Sequence, residues 1–302
     1  MFNWNDLRHF LAVAREGSAG AAARALGVDQ STVNRRLSAL EKGLACPLME
    51  RQPTGYGLTS HGRQLIPSAE KIEASVHALE RKVALLDKRV SGQIRVTCPV
   101  TIGHRLMKSG FLDAFHGQHR GVRVELVMDR RVPDLSKGEA DIAIRGGRPG
   151  NSALIGKKIA APPWGIYASH TFIEKYGRPS QPGDLDGYKV IGMIDDVEDL
   201  PAARWMRLHA PGARIVARSS NIPSVYLAVK SGAGLAPLPM VYVADDGDLE
   251  CVIGPIREMD YPIYLFAHKD LRRVPRVNAF FEFCLRELKP VLTHGTLRRT
   301  PS

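Results

Sequence analysis

The stretch SAGAAARALGVDQSTVNRRLSALEK, residues 18–42, constrains this chain more than any other. Alanines and Leu26 favour a short helix, and Gly27 ends it. Only Val28 and Asp29 separate that glycine from a second helix beginning near Gln30. A bend this tight, with glycine in it, has helix-turn-helix spacing. In the second helix Val33, Leu37 and Leu40 recur at i, i+4 and i+7 and make one apolar stripe. The opposite face carries Ser31, Thr32, Arg35, Ser38 and Lys42, flanked by Asn34 and Arg36. Such a face suits a major groove, where Arg forks onto guanine edges and Ser, Thr and Asn read or position. A helix of this kind is, on its own, also an ordinary amphipathic surface helix. The alanine-rich helix and glycine turn ahead of it shift the reading to DNA. Gln30, Ser31, Thr32, Asn34, Arg35 and Arg36 are the expected contacts.

With 302 residues the chain has room for two or three domains, each with a buried core. A formal net charge of +11 favours a polyanionic partner. Residues 1–90 nevertheless hold only 13 Lys and Arg against 9 Asp and Glu, so the motif carries the argument and net charge does not. Cys46, Cys98, Cys251 and Cys284 lie far apart without a CxxC pair, which fits neither a zinc site nor a disulfide framework. Asn3, Asn5 and Asp6 interrupt any leader-like start, and no apolar run reaches membrane-spanning length. A cytoplasmic protein with no membrane partner is the expectation.

Residues 5–15 read as a first helix, with Leu7, Phe10, Leu11 and Ala14 on one face, packed across the two helices above. Residues 48–51 and 56–59 read as two short strands around a Pro53/Gly55 turn, a wing. Arg51 there reaches a phosphate or the minor groove, or else the hairpin is simply solvated. From Ser60 to about Val90 the pattern is helical, and Pro67 is expected to kink or interrupt it. Ile72, Val76, Leu79, Val83, Leu86 and Val90 then form an a/d seam. The seam suits a partner helix, since a paired winged module gains half-site affinity; its alternative is a helix packed on its own domain.

After Ser91 and Gly92 the texture changes. QIRVTCPV is a strand, followed by a helix from Thr101 to about His116, the strand VRVELVM (122–128), a short helix around 133–137 and the strand ADIAIR (140–145). Strands at 164–169, 188–193, 214–219, 236–239 and 261–267 follow. Helices are expected near 171–176, at 222–232, near Val241 and at 275–288, with a frayed tail from 291. The alternation implies an α/β fold with a parallel sheet covered on both faces.

Enzyme motifs fail. GNSALIGKK (150–158) has the wrong glycine spacing for a P-loop, and Gly232-Ala233-Gly234 follows a helix where a dinucleotide fingerprint would open one. No GxSxG elbow occurs, and His116 with His119 lacks further metal ligands. No enzymatic activity, cofactor or metal is expected.

Taken together, the segments WNDLRHFLAVAREGS, AAARALGVDQSTVNRRLSALE and PLMERQPTGYGLTSHG resemble the LysR-type transcriptional regulators. Ala22-Ala23, Leu26, Gln30-Ser31, Leu40-Glu41, residues 48–51 and residues 58–62 fill that family's places. ADIAIR, SGAGLAPLP and RRVPRVNAFFEFCLREL are similar to its effector-domain landmarks. Asn34 stands where many members have Ser, Met49 replaces Phe, and Ala45-Cys46 replaces a small-residue turn. The segment 128–135 is short for the family, with Arg130 and Arg131 in place of a customary effector-contact loop.

The resemblance implies a winged helix-turn-helix domain (1–60), a linker and dimerisation helix (61–91) and a periplasmic-binding-protein-like α/β effector domain (92–290), then a tail (291–302). Its two lobes would be 92–162 with 268–290, and 163–267, with crossings near 146–163 and near His268. A small-molecule effector would lie between the lobes, against helix N-termini that attract carboxylates. Thr101 and Asn221 open such helices, or serve only as N-caps. Pro99, Val100, His104, Arg145 and Ser219 follow by adjacency; Arg145 meets an anionic effector or a structural ion partner. Expected partners are double-stranded DNA, the effector, further copies of the chain as dimer or tetramer, and RNA polymerase. Two alternatives stand beside this: a DNA-binding protein whose lobes bind no ligand, and a ligand-binding protein whose amino-terminal module no longer reads DNA.

Overall fold

Three helices cross within the first 44 residues: α1 (Trp4–Glu16), α2 (Ala19–Leu26) and α3 (Gln30–Leu44). The computed structural model describes residues 3–52, 55–129, 134–147 and 153–297, in two compact units that meet in sequence at Lys82 and Val83. Asn3 Oδ1 accepts the Asn5 N–H at 2.8 Å and Ser18 Oγ accepts that of Ala21 at 3.1 Å, so α1 and α2 start on side-chain caps. Gly17 and Gly27 close the two helices at φ 70° and 66°, a conformation glycine adopts without steric cost. Phe10, Val13, Ala22, Val33 and Leu40 are fully buried where the helices meet.

The wing follows as β1 (Met49–Gln52) paired antiparallel with β2 (Gly55–Leu58); Pro53 lies outside the described residues. The Tyr56 N–H donates to the Gly17 carbonyl at 2.8 Å, pinning the wing to the α1–α2 turn. The next helix, α4 (Ser60–Leu86), starts on Thr59, whose Oγ1 accepts the Gly62 N–H at 3.0 Å. At Gly62 a Cβ would fall 2.2 Å from the Leu48 carbonyl, so no larger residue fits. The interruption expected at Pro67 is absent: α4 runs through it as one helix. One lost ladder bond is outweighed there by packing of buried Ala69 and by Arg15, which grips Glu73 at 2.9 and 2.6 Å.

The second unit continues with β3 (Gly92–Cys98), α5 (Val100–Lys108), α6 (Phe111–Gln118), β4 (Val122–Met128), β5 (Ile142–Gly146) and β6 (Leu154–Ala160). Then come β7 (Trp164–Ser169), α7 (His170–Tyr176), β8 (Lys189–Met193), α8 (Pro201–His209), β9 (Arg214–Ser219) and α9 (Ile222–Lys230). It ends with β10 (Ala236–Pro239), α10 (Met240–Val243), β11 (Leu249–Ile253), β12 (Ile263–His268) and α11 (Pro275–His294). One lobe holds a five-stranded sheet in the order β4-β3-β5-β12-β6, with β3 parallel to β4 and β5 and β12 antiparallel to β5 and β6. The other has β10-β7-β11, antiparallel throughout, and the parallel pair β8-β9. Strands and helices alternate as expected in an α/β fold, but the purely parallel arrangement is corrected to a mixed one.

Other expectations change too. The single helix 101–116 is two, because Gly110 at φ 73° turns the chain between α5 and α6. Strands β6 and β11 and helix α8 were not anticipated. The chain returns to the first lobe before β12, so the second crossing lies between Met259 and Ile263 and not near His268. Because β6 also belongs to that lobe, the first crossing narrows to Ala161, Pro162 and Pro163. The tail is ordered through His294: Val291 and Leu292 are buried in the first lobe's core and Leu297 packs on it. At the centre of that core Phe111 meets Phe283, and Phe115 meets Phe280, each edge-on at 4.9 Å.

Candidate DNA interface and effector cavity

The turn between α2 and α3 presents the predicted reading face. Val33, Leu37 and Leu40 are buried, which leaves Gln30, Ser31, Arg35 and Ser38 exposed on the other side, with Thr32 half-buried beside them. Two of the predicted contacts have intramolecular partners. Arg36 Nη1 pairs with Asp6 Oδ1 at 3.3 Å, bracing α1 against α3. Asn34 Oδ1 accepts the Tyr56 hydroxyl at 3.4 Å, joining the reading helix to the wing. Arg51 is exposed on β1. The structural role of the Leu40-Glu41 pair also emerges: Glu41 Oε1 accepts the N–H groups of Leu48 (2.8 Å) and Met49 (3.0 Å), holding the wing's root to α3.

In the second unit a cavity of about 910 Å³ opens between the lobes. Pro99, Thr101 and Arg145 line it; Val100, Ser219 and Asn221 do not. Asn221 Oδ1 accepts the Ser224 N–H at 2.9 Å and is the N-cap of α9, so that helix start is closed on itself. Ser219 Oγ donates to the Asn221 carbonyl at 3.3 Å in the same turn. The expected pair of open helix starts is thus corrected to one. At α5 the N-cap is Pro99, which offers no side-chain acceptor, so Thr101 is no cap. The first intrahelical bond there is from Gly103 N–H to the Pro99 carbonyl at 3.0 Å. The amides of Val100, Thr101 and Ile102 consequently have no acceptor within the helix, the arrangement that attracts anions.

Arg145 is buried, and its guanidinium donates to the Asp129 carbonyl and, at 2.7 Å, to Thr97 Oγ1. Burial lowers its pKa from the ordinary guanidinium value. Arg130 and Arg131, expected nearby, lie outside the described residues. Arg105 was missed in the sequence, although it stands one turn beyond Thr101 on the same face of α5. It lines the cavity while its Nη1 reaches Asp245 Oδ2 at 3.0 Å in the other lobe. Lys108 and Arg105 together hold the Asp245 carboxyl below the usual carboxylate range. His104 is exposed and its ring stacks with Tyr242 at 6.0 Å, a second contact between the lobes. Apolar side chains dominate the rest of the wall, Trp164, Leu200, Val241 and Leu292 among them.

The chain matches two family models: "Bacterial regulatory helix-turn-helix protein, lysR family" over residues 4–63 and "LysR substrate binding domain" over residues 87–289. The regulator PtxR of Pseudomonas aeruginosa is 30% identical over 293 residues, 94% of this chain and 92% of that protein. A regulator of Xanthomonas campestris is 30% identical over 189 residues, 63% of this chain and 55% of that protein. Among solved structures, the Vibrio cholerae virulence activator AphB superposes with a TM-score of 0.67 at 21% identity, covering 93% of this chain and 98% of that one. The winged amino-terminal helices and the two-lobed unit after them are those of one lineage: the chain belongs to the LysR family of DNA-binding transcriptional regulators, with an effector-binding domain.

Proposed function

We propose that this protein is an effector-responsive transcriptional regulator that works as a dimer or tetramer, and that it carries out no catalysis. The observation behind this reading is the exposed Gln30, Ser31 and Arg35 row on a helix whose opposite face is fully buried. Two such helices, one per copy, would enter successive major grooves about 34–36 Å apart on a dyad-symmetric, interrupted site. The apolar seam of α4 supports pairing: Leu79 and Leu86 are 62% and 78% exposed in the single chain. The cavity between the lobes supports a small-molecule effector, whose binding would shift the population of lobe arrangements and so the spacing imposed on DNA. RNA polymerase is the partner through which such a change would act on transcription. A cytoplasmic setting accords with DNA as target; among the described residues no helix is long and apolar enough to cross a membrane.

Genome-wide footprinting followed by binding titrations on the recovered fragments tests the reading. A shared interrupted dyad, bound far more tightly than random DNA at physiological salt, is the expected result. Equal affinity for native and random fragments at every salt concentration would refute it, because counterion release alone then explains the binding.

A further inference from the structure

We infer that the short helix α10 and the two aspartates after it form a clasp between the lobes. Asp245 grips the first lobe and Asp246 anchors the clasp within the second, so the lobes part by release of Asp245 alone. The inference concerns the single chain and holds whatever occupies the cavity. Helix α10 has only four residues, too few to keep its place by hydrogen bonds of its own. Its position is therefore set by what its side chains, and those of the turn after it, touch.

The two neighbouring carboxylates face different elements. Asp245 Oδ2 lies 3.0 Å from Arg105 Nη1 and 2.9 Å from Lys108 Nζ, both on α5 of the first lobe. Asp246 accepts the Tyr226 hydroxyl at 2.5 Å and Lys230 Nζ at 3.0 and 2.9 Å, from residues one turn apart on α9 of its own lobe. It also accepts the Asp248 N–H at 3.0 Å, which ties the turn to itself. Tyr242 repeats the pattern with its ring: it stacks on His104 of α5 at 6.0 Å and meets Tyr226 edge-on at 5.6 Å.

The two sides differ in how easily they let go. The Asp246 side chain is 11% exposed and receives three donors, whereas that of Asp245 is 52% exposed, so water can take the place of its partners. Arg105 gives the grip its strength. Its side chain is 5% exposed, and among the described residues Asp245 is the only carboxylate paired with it. At Gly295, just past α11, a Cβ would fall 1.8 Å from Arg105 Nη2, so the helix end backs the guanidinium and leaves it no room to turn. Separating the lobes strips that permanently charged, buried group of its counter-ion, a costly state. The joined arrangement is thus a distinct state with a threshold, and rearrangement of the lobes begins by crossing it at Asp245.

Fluorine NMR of the full-length protein carrying fluorotyrosine tests this, with two signals assigned by Tyr242→Phe and Tyr226→Phe. The Tyr242 signal reports stacking on His104 across the lobes, and the Tyr226 signal reports the anchor. Asp245→Asn should raise the unstacked fraction of Tyr242 by about tenfold and leave Tyr226 in place. Lys108→Ala should shift Tyr242 the same way but less, because Lys108 is 63% exposed. Asp246→Asn should displace both signals, while Asp248→Asn, which loses only a contact to Lys230 at 2.9 Å, should displace neither. A Tyr242 signal unmoved by Asp245→Asn and by Lys108→Ala would overturn the inference. So would a Tyr226 signal that moves with Tyr242 in Asp245→Asn. The Lys108→Ala comparison alters an exposed side chain only and decides the matter even where Asp245→Asn fails to fold.

Discussion

Replacing Glu41 by alanine tests whether the wing is anchored as the structure indicates. One carboxylate oxygen accepts two backbone N–H groups, those of Leu48 and Met49, at 2.8 and 3.0 Å. Hydrogen bonds to a charged acceptor contribute about 1.5–3 kcal/mol each in buried settings. These two share an oxygen, and Glu41 is only half-buried, so together they are worth about 2–3 kcal/mol. Leu48 is 1% exposed, which denies its amide easy replacement by water. At 1.4 kcal/mol per decade, Glu41→Ala should speed native-state amide exchange at both positions by about 30- to 140-fold. Glu41→Gln keeps a neutral acceptor in place and should lose about half the free energy, an acceleration of about 5- to 12-fold. Phe10 and Val13, deep in the three-helix core, should retain their protection. Unchanged exchange at Leu48 and Met49 in Glu41→Ala would show that the carboxylate does not hold the wing.

The remaining expectations separate roles that lie side by side. Arg35→Ala should weaken operator binding by about 1–3 kcal/mol and relax one base position in a randomised-site selection, whereas Arg36→Gln should act mainly through lost bracing of α1 by Asp6, with specificity unchanged. Leu79→Asp combined with Leu86→Asp should dissociate the oligomer in sedimentation velocity; an intact dimer would assign the seam to its own subunit. Asp184 should titrate at about 2, because the Ser180 backbone N–H, the Gln181 side chain and the Ser180 hydroxyl all donate to its carboxylate. Its folded pKa lies below the unfolded value, so its contribution to stability is complete above about pH 4 and is lost as the pH falls toward 2. NMR titration of the Asp184 carboxyl reads the midpoint, and a value near 4 would contradict the capping geometry.

Local periodicity made the first unit legible. Val33, Leu37 and Leu40 announce the buried stripe of α3 by spacing alone, and Gly27 announces the turn before it. What lay hidden depends on partners distant in sequence. β6, LIGKKIA, carries Gly156 and two lysines in its exposed middle, as an edge strand does, and so shows no alternation to read. β12 looks like any apolar strand; that it pairs with β5 and β6, and not with strands of the second lobe, is decided by non-local pairing. At the cavity between the lobes, the sequence favours Thr101 on α5 over Asn221 on α9, but does not show the reason for that order. Asn221 closes its own helix, while Pro99 leaves its helix open. Arg105 could have been found by stepping one turn on from Thr101; its burial and its reach to Asp245 could not. The extension of α11 to His294 was missed because the buried Val291 and Leu292 follow Pro290, which reads as a helix stop.

The two chain crossings between the lobes leave the first lobe side by side, since Ala160 and Ile263 are opposite one another in the β6–β12 pairing. Twin strands at one seam behave as a door on a double pin: they swing in one plane and resist sliding or torsion. Pro162 and Pro163 in one strand and Pro262 in the other stiffen both pins by removing backbone rotation at φ. Relative motion of the two lobes is thereby confined to a swing about that shared seam.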